Sequence, residues 1–247
     1  MIQQPSTSAE ARYACPPQQF EKHLRYIEHS HHTVVSLNEI ERHLLNGTTL
    51  PDNAVAITLD DGFEDNYTQA FPMLQKYGMP ASIFLATGTM GATNQWAQGR
   101  DFPERTMLNW RQIKEMSRFQ ISFGAHTVNH AKLTELDSSI ATEEISVSKR
   151  HIEEQLSKPC SHFAYPYGLF TEQTPEIVKD TGFTLACSTR SGFNNSTTHP
   201  FVLNRTEVYG TDTVWRLKQK INFGINNPSR LLPLMYYSKR ILAQIGL

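Results

Sequence analysis

Two adjacent carboxylates, Asp60 and Asp61, directly follow a strand predicted over Ala54–Leu59. A carboxylate at the end of a buried strand costs free energy unless something cationic lies beside it. The carboxyl ends of parallel strands are also where barrel enzymes carry their catalytic groups. The pair therefore points to a catalytic or metal-binding site. The alternative is that the two residues begin a helix, where the helix dipole stabilises acidic side chains.

Two histidines, His126 and His130, lie just beyond another predicted strand, Gln120–Gly124. Histidines four residues apart can share one helix face or one tight loop, and so both can reach one metal ion. A carboxylate with two imidazoles is a familiar ligand set for a divalent cation, with positions left open for water and substrate. Two surface histidines at a helix start would have the same spacing, so the pair alone leaves both interpretations open.

A third feature, the segment 163–168 (Phe-Ala-Tyr-Pro-Tyr-Gly), also lies at the end of a predicted strand. Pro166 fixes its own φ and Gly168 permits unusual dihedral angles, so the backbone of this loop is held in a set shape. Such a loop can direct a backbone N–H at a developing oxyanion. An ordinary aromatic turn would have the same composition.

Strand-like and helix-like segments alternate along most of the chain. The strands are predicted at Thr33–Val35, Ala54–Leu59, Ala81–Ala86, Gln120–Gly124, His162–Tyr165, Phe183–Ser188 and Phe201–Val208. The helices are predicted at Pro17–Ser30, Ser36–Asn46, Asn66–Tyr77, Trp110–Arg118, Ser138–Ser157, Thr174–Asp180 and Thr213–Phe223. This alternation indicates βαβ units around a parallel sheet, which either closes into a barrel or stacks as a doubly wound sheet. The glycine-rich motifs of nucleotide-binding sheets do not occur, which favours the barrel.

Composition narrows the class of protein further. The 247 residues include 23 basic and 24 acidic side chains, so a dedicated nucleic-acid binder is not expected. No apolar stretch approaches the ~18 residues that a spanning helix needs. The three cysteines form no metal-binding or disulfide pattern, and the first residues carry no secretory signal. We expect one domain over residues 1–247, with reduced cysteines and a cytoplasmic location.

Taken together, the three motifs resemble those of the polysaccharide deacetylases with NodB homology. Thr58–Gly62 is similar to the family's Thr-Phe-Asp-Asp-Gly motif, His126–His130 to its histidine motif, and Tyr165–Gly168 to its Pro-x-Gly loop. The similarity runs from about Pro17 to Phe223. Flanking features resemble the branch that acts on poly-N-acetylglucosamine; they are Pro51, 78–81 (Gly-Met-Pro-Ala) and Trp110. The resemblance implies a distorted or incomplete (β/α) barrel of about seven parallel strands.

The resemblance also implies roles for individual residues. Asp61, His126 and His130 would bind a divalent metal ion, with zinc expected, and Asp60 would be the general base that deprotonates a water molecule. The metal and the backbone N–H of Tyr167 would hold the oxyanion. The implied reaction releases acetate from an N-acetylated amino sugar in a polysaccharide or lipid-linked glycan.

The sequence departs from the family pattern in three ways. Phe163 stands where the family has the arginine that orients the base, and Arg205 is our candidate substitute, on the side of the strand Phe201–Val208 that it shares with Glu207. No late strand carries the usual histidine acid, and His199 is only a weak candidate because it lies in a polar loop. The related branch also has an upstream strand ending in Tyr-His that can supply the acid, and the chain given starts after that point.

Two further possibilities concern the end of the chain and the function. The segment 228–247 is basic and apolar, so it could lie on a membrane, a lipid-linked substrate or a partner, or pack as a last helix on the barrel. A non-catalytic carbohydrate-binding barrel and a hydrolase of small non-peptide C–N substrates are the alternative functions.

Overall fold

The structure is a computed structural model that describes residues 1–229. Its strands within this range are β1 Thr33–Val34, β2 Ala54–Val55, β3 Thr58–Leu59, β4 Ala81–Leu85, β5 Ile121–Ala125, β6 His162–Ala164 and β7 Leu185–Cys187. Its α-helices are α1 Pro17–Glu28, α2 Leu37–Asn46, α3 Phe71–Lys76, α4 Trp110–Met116, α5 Ser138–Leu156, α6 Thr174–Asp180 and α7 Val214–Phe223. The amphipathic segment predicted over 228–247 lies outside the described residues from position 230 onward.

All the strand pairs are parallel, and the sheet follows the order of the chain. Strands β3 to β7 form a five-stranded sheet in sequential order, and β1 pairs with β2 in a separate two-stranded sheet. Helices connect successive strands, so the architecture is a distorted, incomplete (β/α) barrel, as expected. Because the strands run in one direction, the segments that follow β3, β5 and β6 all emerge at the same edge.

The strand predicted over 54–59 is divided in two. β2 pairs with β1 through Ala54 and Val55, whereas β3 pairs with β4 through Thr58 and Leu59. The chain thus passes from one sheet to the other at residues 56–57. The apolar run that predicted one strand continues through both halves, and Ile57 and Leu59 in its second half pack against the core.

The prediction of a strand over Phe201–Val208 is wrong. Of this segment, only Leu203 forms a bridge, a parallel one with Cys187 at the end of β7. Beyond it, the Arg205 N–H still donates to the Arg190 carbonyl (2.9 Å), but side chains bond the backbone of Asn204. The Asn204 amide donates to the Phe193 carbonyl (3.0 Å), and the Asn194 side chain bonds both the N–H and the carbonyl of Asn204 (2.9 Å each). Such local side-chain bonds compete with strand pairing.

The helix predicted over Asn66–Tyr77 is also modified, because its first part, Asn66–Ala70, is a π-helical turn that continues into α3. The other predicted helices occur with small shifts at their ends. α2 carries the predicted capping box between Ser36 and Glu39, and it ends at Gly47 with φ = 68°.

The core lies between the sheet and the helices. Every residue of β4 is buried, and the three cysteines are buried and unpaired, as expected for reduced thiols. None of the helices in the described part of the chain combines the length and the apolar character needed to cross a bilayer.

Candidate metal centre and active site

Three predicted ligands converge where β3 and β5 end. Asp61 follows β3, His126 follows β5 directly, and His130 lies four residues further on. Oδ1 of Asp61 is 3.4 Å from Nε2 of His126 and 3.1 Å from Nε2 of His130. One ligand atom from each residue lies within 4.8 Å of the other two, a spacing that a single metal ion could bridge.

The hydrogen bonds of the histidines fit a cation at this point. Nδ1 of His126 lies 2.7 Å from the carbonyl oxygen of Ala164 and must donate to it, which leaves Nε2 free to act as a ligand. In the neutral imidazole, the Nε2 lone pair then faces the Asp61 carboxylate, an arrangement that a cation between them would stabilise. Asp61, His126 and His130 are therefore a chemically suitable set for a divalent ion.

Asp60 has a different partner, the guanidinium of Arg205. Nη1 and Nη2 of Arg205 donate to the two carboxylate oxygens at 2.7 and 2.8 Å. Arg205 is itself held by the Thr58 hydroxyl (3.2 Å) and the Ser188 carbonyl (2.8 Å). The predicted placement of Arg205 beside Asp60 is confirmed, although Arg205 lies in an irregular segment and not in the predicted strand. Glu207, expected on the same side, instead accepts hydrogen bonds from Tyr209 and Asn226.

The charges around Asp60 favour its ionised form. Burial alone would raise the pKa of this carboxyl, but Arg205 and His126 outweigh it and hold the pKa below its usual range. For Asp61, burial again raises the pKa, and the two histidines lower it well below the usual range. Burial lowers the pKa of Arg205, but the negative charge of Asp60 outweighs burial and raises this pKa above its usual value. Both members of the pair are therefore charged near neutral pH.

The backbone at the site adopts rare conformations. Asp61 (φ 77°), Thr127 (φ 64°), His130 (φ 54°) and Tyr167 (φ 59°) all have positive φ without being glycine. Such residues cost roughly 1–3 kcal/mol each and persist only where the surrounding structure holds them. Of the six such residues in the described part of the chain, these four lie in the motifs after β3, β5 and β6, which indicates that the fold holds these side chains for a function.

Aromatic rings form the rim of the site. Trp96 stacks on the His130 ring with 4.6 Å between centroids, and Tyr167 packs edge-on against the same ring at 4.5 Å. The guanidinium of Arg100 lies 5.7 Å from the centre of the Tyr167 ring. Trp96 and Arg100 were not predicted, because the loop between β4 and α4 has no periodic pattern. A tryptophan in an otherwise polar loop was the available signal.

The remaining predicted residues are placed as follows. Tyr167 lies at the rim, with its side chain 37% exposed, in the loop held by Pro166 and Gly168. His199 is exposed, and its ring contacts Phe201 while its carbonyl accepts a hydrogen bond from the Val202 N–H. It precedes the residues that run beside β7, and so it lies toward the opposite edge of the sheet from the metal ligands.

A comparison with known families identifies the class of protein. Residues 47–186 match the family model described as "Polysaccharide deacetylase". The chain belongs to the polysaccharide deacetylase family. The matched region contains Asp60, Asp61, both histidines and the Pro-x-Gly loop, whereas Arg205 lies beyond it.

Individual relatives support this assignment. The poly-beta-1,6-N-acetyl-D-glucosamine N-deacetylase of Staphylococcus aureus is 27% identical over 187 residues, which cover 72% of this chain and 62% of that enzyme. The chain spans less than two thirds of the length of the curated relatives it matches, 65% and 62% for two of them.

Solved structures show the same fold. The Streptococcus pyogenes deacetylase PplD in complex with acetate is 26% identical, with a TM-score of 0.77 over 90% of this chain and 93% of that one. IcaB from Ammonifex degensii is 27% identical, with a TM-score of 0.74 over the same shares of the two chains.

Proposed function

We propose that this protein is a metal-dependent hydrolase that removes N-acetyl groups from an amino sugar in a polysaccharide or lipid-linked glycan. One observation carries the proposal: Asp61, His126 and His130 converge on one point, directly next to the ion pair of Asp60 and Arg205. A metal ligand set beside a separate, oriented carboxylate is what metal-assisted hydrolysis requires.

Asp61, His126 and His130 would hold the cation, and zinc suits one carboxylate and two imidazoles with open positions. When bound, the cation would supply Lewis acidity that polarises the acetyl carbonyl and lowers the pKa of water from ~15.7 toward ~7. The buried imidazoles and the Trp96 ring stacked on His130 limit the movement of the ligand side chains.

Asp60 would act as the general base and accept a proton from the attacking water at a carboxylate oxygen. Arg205 bonds both oxygens, which fixes the plane of the carboxylate and keeps it ionised. Each carboxylate oxygen has two lone-pair sites, so one remains available for the proton on either oxygen.

Tyr167 would contribute its backbone N–H to the oxygen that becomes negative as water attacks the carbonyl carbon. Its positive φ fixes the direction of this peptide group within the Pro-x-Gly loop. The oxygen of water thus bonds to the carbonyl carbon, the C–N bond breaks, and the nitrogen takes up the proton that Asp60 accepted, giving acetate and a free amino sugar.

The relatives support the choice of substrate class, because the Staphylococcus aureus enzyme among them is a poly-beta-1,6-N-acetyl-D-glucosamine N-deacetylase. We propose an N-acetylated carbohydrate for this chain as well. The aromatic surface at the rim, on exposed Tyr167 and half-buried Trp96, suits the apolar faces of sugar rings.

The test is acetate release from N-acetylglucosamine oligomers by the purified protein, after chelation and after addition of Zn²⁺. We expect activity to be lost on chelation and restored by the metal. His126→Ala should abolish both bound metal and acetate release, while His199→Ala, at an exposed histidine away from the site, should keep both.

Two results would contradict the proposal. If His126→Ala contained as much metal as the wild type, His126 would not be a metal ligand. Oligomer binding without acetate release, at saturating metal, would instead support a carbohydrate-binding barrel.

A further inference from the structure

The loop His126–His130 carries two of the three candidate ligands, yet its own conformation is unfavourable. Thr127 and His130 both have positive φ, at 64° and 54°. Nδ1 of His130 is buried and has no hydrogen-bond partner among residues 1–229, and Nε2 contacts only the candidate ligand Asp61 (3.1 Å) within that range. The position of the His130 ring therefore depends on the stacking of Trp96 and on whatever holds the backbone of the loop.

On one side, the loop is held by the residues that follow β4. The N–H of Thr87 donates to the carbonyl of Thr127 (3.1 Å), and the N–H of Gly88 donates to the carbonyl of Val128 (2.8 Å). The approach is close, because a Cβ on Gly88 would lie 2.8 Å from the Val128 side chain and 2.9 Å from its carbonyl oxygen. This contact satisfies the carbonyl groups of Thr127 and Val128 but leaves the N–H groups of Val128 and Asn129 to another partner.

On the other side, the partner is the carboxylate of Glu144 from α5. Its Oε2 accepts hydrogen bonds from the backbone N–H groups of Val128 and Asn129, both at 2.9 Å. Its Oε1 accepts a third bond, at 2.6 Å, from the Asn129 side chain. One side chain thus fixes two consecutive peptide groups immediately before His130.

We propose that Glu144 is a positioning residue that holds His130 in the geometry needed to bind the metal. The inference rests on the proposed metal site and adds a residue that touches neither metal nor substrate. Without Glu144, two N–H groups of the loop lose their acceptor and the strained φ of His130 is no longer enforced. The loop then relaxes, and binding a metal must first restore its conformation.

The test is the dissociation constant for Zn²⁺, measured by competition with a chromophoric chelator. Glu144→Ala should weaken binding about 10- to 100-fold, the usual effect of losing a group that orients a ligand. Glu144→Gln retains an amide oxygen that can accept both backbone N–H bonds, so it should recover most of the affinity. Glu143→Ala, at the exposed neighbouring position, is the matched control and should bind as the wild type does.

Two further readouts separate positioning from a general loss of stability. Excess Zn²⁺ should restore the kcat of Glu144→Ala, and the Co²⁺-loaded variant should show an altered d–d absorption spectrum. If Glu144→Ala does not fold, Glu144→Asp replaces it, because its carboxylate keeps the charge but is one methylene too short to reach the loop.

The proposal is overturned if Glu144→Ala binds Zn²⁺ as tightly as the wild type, or if Glu144→Gln is as weak as Glu144→Ala. These outcomes differ from failure of the proposed function, in which the wild-type protein itself would bind no metal or release no acetate.

Discussion

At the scale of single residues, the two adjacent carboxylates have separate partners. Asp60 bonds Arg205, whereas Asp61 contacts the two histidines. The positive φ of Asp61, 77°, turns the backbone between them, so that neighbouring side chains reach different groups. The same substitution at the two positions should therefore have different effects.

Asp60→Asn should lower kcat about 10²- to 10⁴-fold, the usual contribution of a general base, and leave the metal bound. Asp61→Asn is the matched comparison and should release the metal. Metal content by elemental analysis, with acetate release, checks both. If Asp60→Asn empties the site, Asp60 is a ligand and the two roles must be exchanged.

Arg205→Lys should reduce the rate without changing metal content. Lysine keeps the charge but loses the planar fork that bonds both oxygens of Asp60. A lost charge-assisted hydrogen bond is worth about 1.5–3 kcal/mol, or roughly 10- to 100-fold in kcat. Arg190→Lys, at an exposed arginine stacked on Phe170, serves as the control and should leave kcat unchanged. An unchanged kcat in Arg205→Lys would show that Asp60 needs no such partner.

At the scale of elements, helices with strong local signals occur where they are predicted. α2 begins with a reciprocal capping box, in which the Ser36 hydroxyl accepts from the Glu39 N–H (3.3 Å) and Glu39 accepts from the Ser36 N–H (2.8 Å). The buried Leu37 belongs to a cluster of core side chains that also includes Leu185 and Leu203. The cap and the packing together fix where this helix starts.

Ser36→Ala should lower the free energy of unfolding by about 0.5–2 kcal/mol, because an N–H at the start of α2 loses its acceptor. Urea denaturation would measure the change. Ser139→Ala, at an exposed position early in α5, is the control and should change stability little. Equal stability of Ser36→Ala and the wild type would mean that water replaces the cap without cost.

At the scale of the whole molecule, the first residues of the chain hold the loop that reaches the site. Glu10 is completely buried and accepts hydrogen bonds from Nε and Nη2 of Arg105, at 2.8 and 2.7 Å. Arg105 also closes the loop 94–105 by donating its N–H to the Asn94 side chain (2.7 Å). This loop carries Trp96, which stacks on His130.

The ion pair predicts a pH-dependent contribution to stability. Burial raises the pKa of Glu10, but the bonds from Arg105 and Ser6 outweigh it, so the pKa is lower in the folded state. The contribution is therefore fully present above the unfolded pKa of ~4.3 and is lost as the pH falls through the lower folded value.

Glu10→Gln should thus cost about 1–3 kcal/mol at pH 7, and the difference from the wild type should shrink below about pH 4. Urea titrations at several pH values would measure it, with exposed Glu104→Gln as a control of unchanged stability. A difference that stays constant from pH 7 to pH 3 would contradict the assigned pKa shift.

The sequence by itself determined the elements and the chemistry of the site. Short apolar runs, capping residues and terminal glycines are local signals, so the strands β4 to β7 and most helices lie within one or two residues of their predicted bounds. The three motifs lie directly after β3, β5 and β6 in the sequence, and parallel strands bring these strand ends to one edge of the sheet. The convergence of Asp61, His126 and His130 was therefore predictable.

Only the tertiary structure decided which distant residues complete the site. Phe201–Val208 has the composition of a strand, but the Asn194 side chain bonds the backbone N–H and carbonyl of Asn204, and composition carries no information about that competition. Trp96 and Glu144 reach the histidine loop across long sequence separations, from a loop without periodicity and from one face of a long helix. Their positions depend on how helices and loops pack around the sheet, because contacts between distant segments are set by that packing and leave no local pattern in the chain.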